Sequence, residues 1–158
     1  MNITAMYFSG TGTTKKVTAA IADELTEIKI SQDKTAADEN PGSIKAGIKP
    51  WQRAEDIDFT PPAARREIYR FTPDDLVVFG VPVIAGRVPN VLLKFLDTLQ
   101  GGGALAVPVV LYGNRNFDDA LIELRNILQD RGFYSIGAAA FIGEHSFSRI
   151  LAAGRPDS

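Results

Sequence analysis

The chain has 158 residues, close to one domain on a prior of roughly 150 residues per domain. Hydrophobic residues make up 45% and charged residues 23%, with 14 glycines and 9 prolines, which excludes a disordered chain, a collagen-like rod and a coiled coil. Zero cysteines and one histidine exclude disulfides, thiolate-held zinc or iron–sulfur clusters, thiol nucleophiles and multi-histidine metal sites, and a net charge of −2 does not suggest nucleic acid.

Residues Met1 to Phe8 lack a basic amino-terminal region and run straight into a Gly/Thr turn, so they do not read as a signal peptide. No apolar run approaches the roughly 20 residues that a membrane helix requires. The expectation is one soluble, cytoplasmic domain over residues 1–158, with neither membrane nor nucleic acid as partner.

Ile3 to Phe8 is the first of four apolar runs containing β-branched or aromatic residues; the others are Leu76 to Val81, Ala104 to Tyr112 and Ser135 to Ile142. None alternates cleanly, which predicts strands covered on both faces, as in a parallel sheet flanked by helices. After the first run, Val17, Ile21 and Leu25 are four apart, with Thr13 and Thr14 as N-caps, and predict a helix. Glu27 to Ser31 alternates and predicts an edge strand. Residues 32–73 are polar, contain Pro41, Pro50, Pro61, Pro62 and Pro73, and suggest only a short helix around Ala63 to Ile68. A stretch this long without structure signals a functional segment or a misassigned element.

Pro89 opens a further helix with Val91, Leu92, Phe95, Leu96 and Leu99 on its apolar side, closed by Gly101-Gly102-Gly103. Phe117, Leu121, Leu124 and Leu128 form the stripe of another, with Asp118 and Asp119 near its start and Gly132 as its stop. Strand alternating with helix predicts a doubly wound α/β fold with right-handed crossovers. The residues beyond Gly143 are too few for a full covering helix, so part of one sheet face is expected to be open.

Ser9-Gly10-Thr11-Gly12-Thr13-Thr14 directly follows the first strand and precedes a helix, the arrangement that points N–H groups and a positive helix end at an anion. The dinucleotide fingerprint G-x-G-x-x-G fails because Lys15 stands where the third glycine belongs, and the spacing does not match a Walker loop. The remaining hydroxyls suit a terminal phosphomonoester, and Gly10 and Gly12 let the backbone approach it. The competing reading is a turn that only caps the helix.

Ser9-x-Thr11-Gly12-x-Thr14 resembles the phosphate loop [ST]-x-T-G-x-T of flavodoxins. More narrowly, Tyr7 to Lys16, Gly80-Val81-Pro82-Val83 with Ala85-Gly86-Arg87-Val88-Pro89, and Tyr112-Gly113-Asn114-Arg115-Asn116 are similar to the amino-terminal domain of flavodoxin–ferredoxin fusion proteins. That resemblance implies a five-stranded flavodoxin-like parallel sheet of order 2-1-3-4-5, FMN as cofactor, and a redox partner protein of the iron–sulfur, ferredoxin type, whose cysteines this chain lacks. It implies that Ser9, Gly10, Thr11, Gly12, Thr13 and Thr14 hold the phosphate. Pro82, Val83, Ile84, Ala85, Gly86 and Arg87 would border the isoalloxazine ring, with Gly86 letting a peptide turn toward N5 and Ile84 where many flavodoxins have an aromatic. Tyr112, Gly113, Asn114, Asn116 and Phe117 would line the pyrimidine side.

Each of these residues also has a plainer reading. Arg87 reads equally as a solvated charge, Asn116 as an N-cap and Phe117 as the start of a core stripe. His145 could donate to the flavin, and its ordinary pKa of about 6.5 would make that pH-sensitive, but a lone loop histidine is commonly structural. Trp51 is a weaker candidate for stacking, and Lys15 and Lys16 could add charge near the phosphate or be solvated. The reading is an FMN-binding electron-transfer protein. The alternatives are an NAD(P)H-dependent FMN or quinone reductase on the same fold, or a binding module of this fold without flavin.

Overall fold

The computed structural model describes residues 1–39, 51–113 and 116–143, with only the backbone over 29–39. In chain order the elements are β1 (Asn2–Tyr7), α1 (Thr13–Glu39), β2 (Gln52–Arg53), β3 (Ile57–Asp58), a 3-10 turn (Ala64–Arg66), β4 (Asp75–Pro82), α2 (Asn90–Leu96), β5 (Leu105–Tyr112), α3 (Ala120–Asp130), β6 (Tyr134–Ser135) and β7 (Ala139–Ile142). The strands form one parallel sheet in the order β2-β1-β4-β5-β6, with β3 also on β1 and β7 also on β5. The short pieces share edge positions, so the sheet has the five positions and the 2-1-3-4-5 order expected of a flavodoxin-like fold.

Alternation along the central strands divides the core in two. Ile3, Ala5, Tyr7, Leu76, Val78, Val109 and Leu111 pack on the α1 side. Met6, Val77, Phe79, Val81 and Val110 face the other way, onto Leu92, Phe95 and Leu96 of α2 and Leu124 and Leu128 of α3. Phe59 is fully buried in this second layer, its ring centroid 5.3 Å from that of Phe79 and 4.9 Å from that of Phe95.

Several expectations are corrected. Glu27 to Ser31 is not an edge strand: α1 runs through it to Glu39, and the strand beside β1 comes later, as β2 and β3. Of the two isoleucines in this stretch, Ile28 continues the spacing of Val17, Ile21 and Leu25, three residues after the last of them. That stripe is itself only half-buried. The seam of α1 that meets the sheet is Thr14, Thr18, Ala22 and Thr26, all buried and spaced by four. The hydroxyls of Thr18 and Thr26 donate to the carbonyls of Thr14 and Ala22 at 2.7 and 2.8 Å, so burying them leaves no donor unpaired.

Small residues on the seam let α1 lie close to β4. A Cβ at Gly80 would overlap Thr18 Oγ1 and stand 3.1 Å from Thr14 Cγ2. The helix after Pro89 ends at Leu96, before the triple glycine, whose amides at Gly101 and Gly103 instead bond the turn around Gly132. The helix after Phe117 begins at Ala120 and stops, as expected, before Gly132 at φ +87°. The last strand is split into β6 and β7, and the helix proposed around Ala63 to Ile68 is the shorter 3-10 turn.

Gly80→Ala should lower unfolding stability by about 1–3 kcal/mol, the usual cost of overpacking. Adding Thr18→Ala should recover part of that loss, measured by urea denaturation of the three chains. Equal stability of Gly80→Ala and the parent would contradict the close approach.

Candidate functional site

The carboxyl ends of β1, β4 and β5 lie on one side of the sheet, and the strand order reverses between β1 and β4, the position where open α/β sheets form a crevice. The loop after β1 is held from behind. Ser9 N–H donates to Thr60 Oγ1 at 2.8 Å, and Thr60 N–H donates to Asp58 Oδ1 at 2.9 Å. Arg65 donates to the carbonyls of Phe59 and Thr60 at 3.0 and 2.6 Å, with its guanidinium 5.6 Å from the Phe8 ring centroid. From the front, Ser9 Oγ accepts the Lys15 N–H at 3.0 Å, and Gly12 O accepts the Lys16 N–H at 3.0 Å.

Between these anchors, the amides of Gly10, Thr11, Gly12, Thr13 and Thr14 make no hydrogen bond to any described residue. Five consecutive donors without a partner among the described residues, three in the loop and two in the first turn of a long helix, are available to an anion. Gly12 has φ +89°, which favours glycine, and open space lies beside the Cα atoms of Gly10 and Gly12. The hydroxyls are not equivalent. Ser9 Oγ accepts the Lys15 N–H and keeps its own proton to donate, and Thr14 is buried against Gly80, whereas Thr11 is exposed and Thr13 half-buried. The Lys15 ammonium folds back to 5.9 Å from the Tyr7 ring centroid. Burial, with Asp56 as the next cause, holds the Tyr7 phenol above its ordinary pKa, so it is neutral at pH 7.

The loop after β4 is a tight two-residue turn. Ile84 and Arg87 exchange N–H···O bonds of 3.0 and 3.1 Å, and the central residues Ala85 and Gly86 have φ +51° and +75°, the signature of a type I′ turn. Ala85 is strained there, since a side chain in left-handed backbone costs about 1–2 kcal/mol. Ile84 and Ala85 are exposed, Gly86 is buried, and Pro82 and Val83 are half-buried. A Cβ at Gly86 would stand 2.5 Å from Asp118 Oδ2, so this turn abuts the loop after β5.

Arg87 points to neither loop centre. Its Nε and Nη2 bond both carboxylate oxygens of Glu123 on α3 at 2.9 and 2.8 Å, and Glu123 also accepts the Val88 N–H at 2.8 Å. In the loop after β5, Tyr112 and Phe117 are half-buried with ring centroids 5.5 Å apart, and Phe117 packs on the α2–α3 core as its plainer reading expected. Asn116 Oδ1 accepts the Phe117 N–H at 2.8 Å, and the helix itself starts four residues later. Gly113 is half-buried. Asn114 and His145 lie outside the described residues. Trp51 precedes β2, which pairs with the first residues of β1; it packs with the α1-side core at the opposite end of the sheet from the three loops.

The sequence reading missed Asp58, Thr60, Arg65 and Glu123. Asp58-Phe59-Thr60-Pro61 carries the signal of an Asx turn, which could have marked the first two. Among the described residues, no group of three His, Cys, Asp or Glu side chains is placed to hold a metal, and no helix is long and apolar enough to cross a membrane.

No protein-family model matches the sequence, and no curated protein matches it. Solved structures do. A flavodoxin from the domain Archaea superposes with a TM-score of 0.61 at 15% identity, covering 93% of this chain and 87% of that one. A candidate flavoprotein from Bacteroides uniformis superposes with a TM-score of 0.53 at 14% identity, covering 91% and 92%. The chain has a flavodoxin-like fold.

The Arg87 fork, against the opposing effect of burial and with help from the Val88 amide, holds the Glu123 carboxyl below the ordinary carboxylate range. A depressed folded pKa contributes stability above the unfolded pKa that is lost as pH falls through the folded one. Thermal stability of the parent should therefore fall more steeply below about pH 4 than that of Glu123→Gln. Parallel profiles would show that the pair adds nothing.

Proposed function

We propose that this chain binds FMN at the carboxyl end of its sheet and serves as an electron-transfer protein. The observation that carries the reading is the row of five unpartnered amides from Gly10 to Thr14, at the start of α1 and beside the strand-order reversal. A phosphate dianion fits this row without demanding a lysine, because N–H donors and the helix field supply the attraction. The Thr11 and Thr13 hydroxyls add donors at the rim. The exposed Ile84 and the Ala85–Gly86 turn would offer an apolar edge and a backbone peptide to the ring, and Tyr112 and Gly113 would border its other side. When bound, the flavin supplies the electron chemistry; the chain supplies binding, orientation and electrostatics.

The partner is read as a redox protein of the iron–sulfur, ferredoxin type, in keeping with the resemblance of the loop sequences. A net charge of −2 gives little long-range steering, which suits a partner held close rather than one captured by diffusion.

In a titration followed by flavin fluorescence, FMN should bind at least tenfold more tightly than riboflavin. Thr11→Ala should weaken FMN about 10- to 150-fold, the loss of about 1.5–3 kcal/mol expected for a hydrogen bond to a charged group, and leave riboflavin unchanged. Equal affinities for the two flavins would remove the proposed role of the loop. Electron exchange with soluble iron–sulfur acceptors should change less than threefold between 50 and 300 mM salt; a decade or more would contradict the tethered partner.

A further inference from the structure

The strands β2 and β3 have two residues each, too few to anchor a sheet edge on their own. What β3 does fix is a register. Ile57 and Asp58 pair with Met6 and Tyr7, and the Phe59 N–H then donates to Tyr7 O at 3.0 Å. The next residue, Thr60, arrives beside the end of β1, where its Oγ1 accepts the Ser9 N–H at 2.8 Å. Ser9 is the last residue before the row of amides from Gly10 to Thr14.

Thr60 is itself held on every side. The fully buried Phe59 ring keys the preceding residue between Phe79 and Phe95. Asp58 Oδ1 takes the Thr60 N–H at 2.9 Å, and Arg65 takes the Thr60 carbonyl at 2.6 Å. A β-branched side chain adds stiffness about χ1, so the position of Oγ1 is set by its backbone. Closing the core does not require the bond to Ser9. Thr60 and Ser9 are only half-buried and Asp58 is exposed, so water can reach a released Ser9 N–H. Losing the bond therefore falls on the shape of the loop rather than on the fold.

We propose that Thr60 is a positioning residue for the anion site: it fixes the Ser9 peptide and through it the direction of the amides that follow. The proposal rests on the FMN reading and adds a residue, outside the loop, that sets the grip without touching the phosphate. Peptide planes are rigid, so a rotation at Ser9 passes to Gly10, Thr11 and Gly12, where two glycines offer little resistance. If the loop holds its binding arrangement in only a fraction of chains, the apparent Kd rises by the inverse of that fraction. Riboflavin has no phosphate and escapes this penalty.

Three variants of the full chain test the role. Thr60→Val keeps the branched shape without the acceptor, and Thr60→Ser keeps the acceptor. Asp58→Ala, at an exposed position, loosens the same turn and guards against misfolding of the first variant. Dissociation constants for FMN and riboflavin are read by fluorescence, and amide exchange of the flavin-free chains by NMR. Thr60→Val should raise the FMN constant about 5- to 20-fold and the riboflavin constant less than twofold. Thr60→Ser should stay within twofold of the parent for both, and Asp58→Ala should fall between the two. In the flavin-free Thr60→Val chain, the Ser9 amide should exchange at least tenfold faster while those of β4 are unchanged. An equal loss for both flavins, or failure of Thr60→Ser to restore FMN binding, would make Thr60 merely structural and overturn the proposal. A parent that prefers FMN, with the same preference in Thr60→Val, would overturn this proposal alone. A parent that binds both flavins equally would remove the FMN reading and this proposal with it.

Discussion

The contact of Thr14 and Thr18 with the bare Cα of Gly80 sets the geometry on which the candidate site depends. A crossover helix normally lays bulky aliphatic residues on a sheet. Here the seam is Thr-Thr-Ala-Thr, and its buried hydroxyls are satisfied within the helix itself. The helix can therefore descend onto the central strand, and its first turn arrives at the sheet's carboxyl end. The amides of Thr13 and Thr14 are left free because a first turn has no partners of its own. Those of Gly10 to Gly12 are free because the loop is braced through its ends, by Thr60 at Ser9 N–H and by Ser9 Oγ at Lys15.

The bracing separates residues that hold the loop from residues that could touch a ligand. Asp58, Thr60 and Arg65 form one linked turn behind the loop, and Arg65 joins it to the Phe8–Phe59 aromatic layer. Ser9 joins them through its amide and through the Oγ lone pair that accepts the Lys15 N–H, while its hydroxyl proton still faces no acceptor among the described residues. On the opposite flank, the Arg87–Glu123 fork, the Val88 amide and the Gly86–Asp118 approach tie the loops after β4 and β5 to α3. The strained turn at Ala85 is thus held between fixed supports, which is how left-handed backbone at an alanine persists.

The three central strands and the loop after β1 were legible in the sequence, because each is encoded locally, by apolar runs or by a Gly/Thr turn between a strand and a helix. The order of the sheet came with the family resemblance of that loop. The fourth run, expected as one buried strand, is the split, half-buried pair β6 and β7. The second sheet position was not legible. Gln52–Arg53 and Ile57–Asp58 are two-residue pieces with polar members, held by the edge of β1 rather than by any pattern of their own. Glu27 to Ser31 misled because its alternation spans only five residues, too few to override the helix α1 that runs through them. Arg87 looked available because its partner, Glu123, lies 36 positions later on another element. The role of Phe59 was hidden for the same reason: its burial comes from β4 and α2, not from the polar, proline-rich stretch around it.

Under the proposed function, the amides of Gly10 to Thr14 would grip the phosphate of a flavin. Amide proton–nitrogen NMR of the labelled chain, titrated with FMN and then with riboflavin, tests it at single residues. Large downfield shifts are expected at Gly10, Thr11, Gly12, Thr13 and Thr14 with FMN, absent with riboflavin even where residues of the Ile84–Arg87 turn respond to both. Unmoved loop amides in an FMN-saturated sample, or the same loop shifts with both flavins, would contradict it.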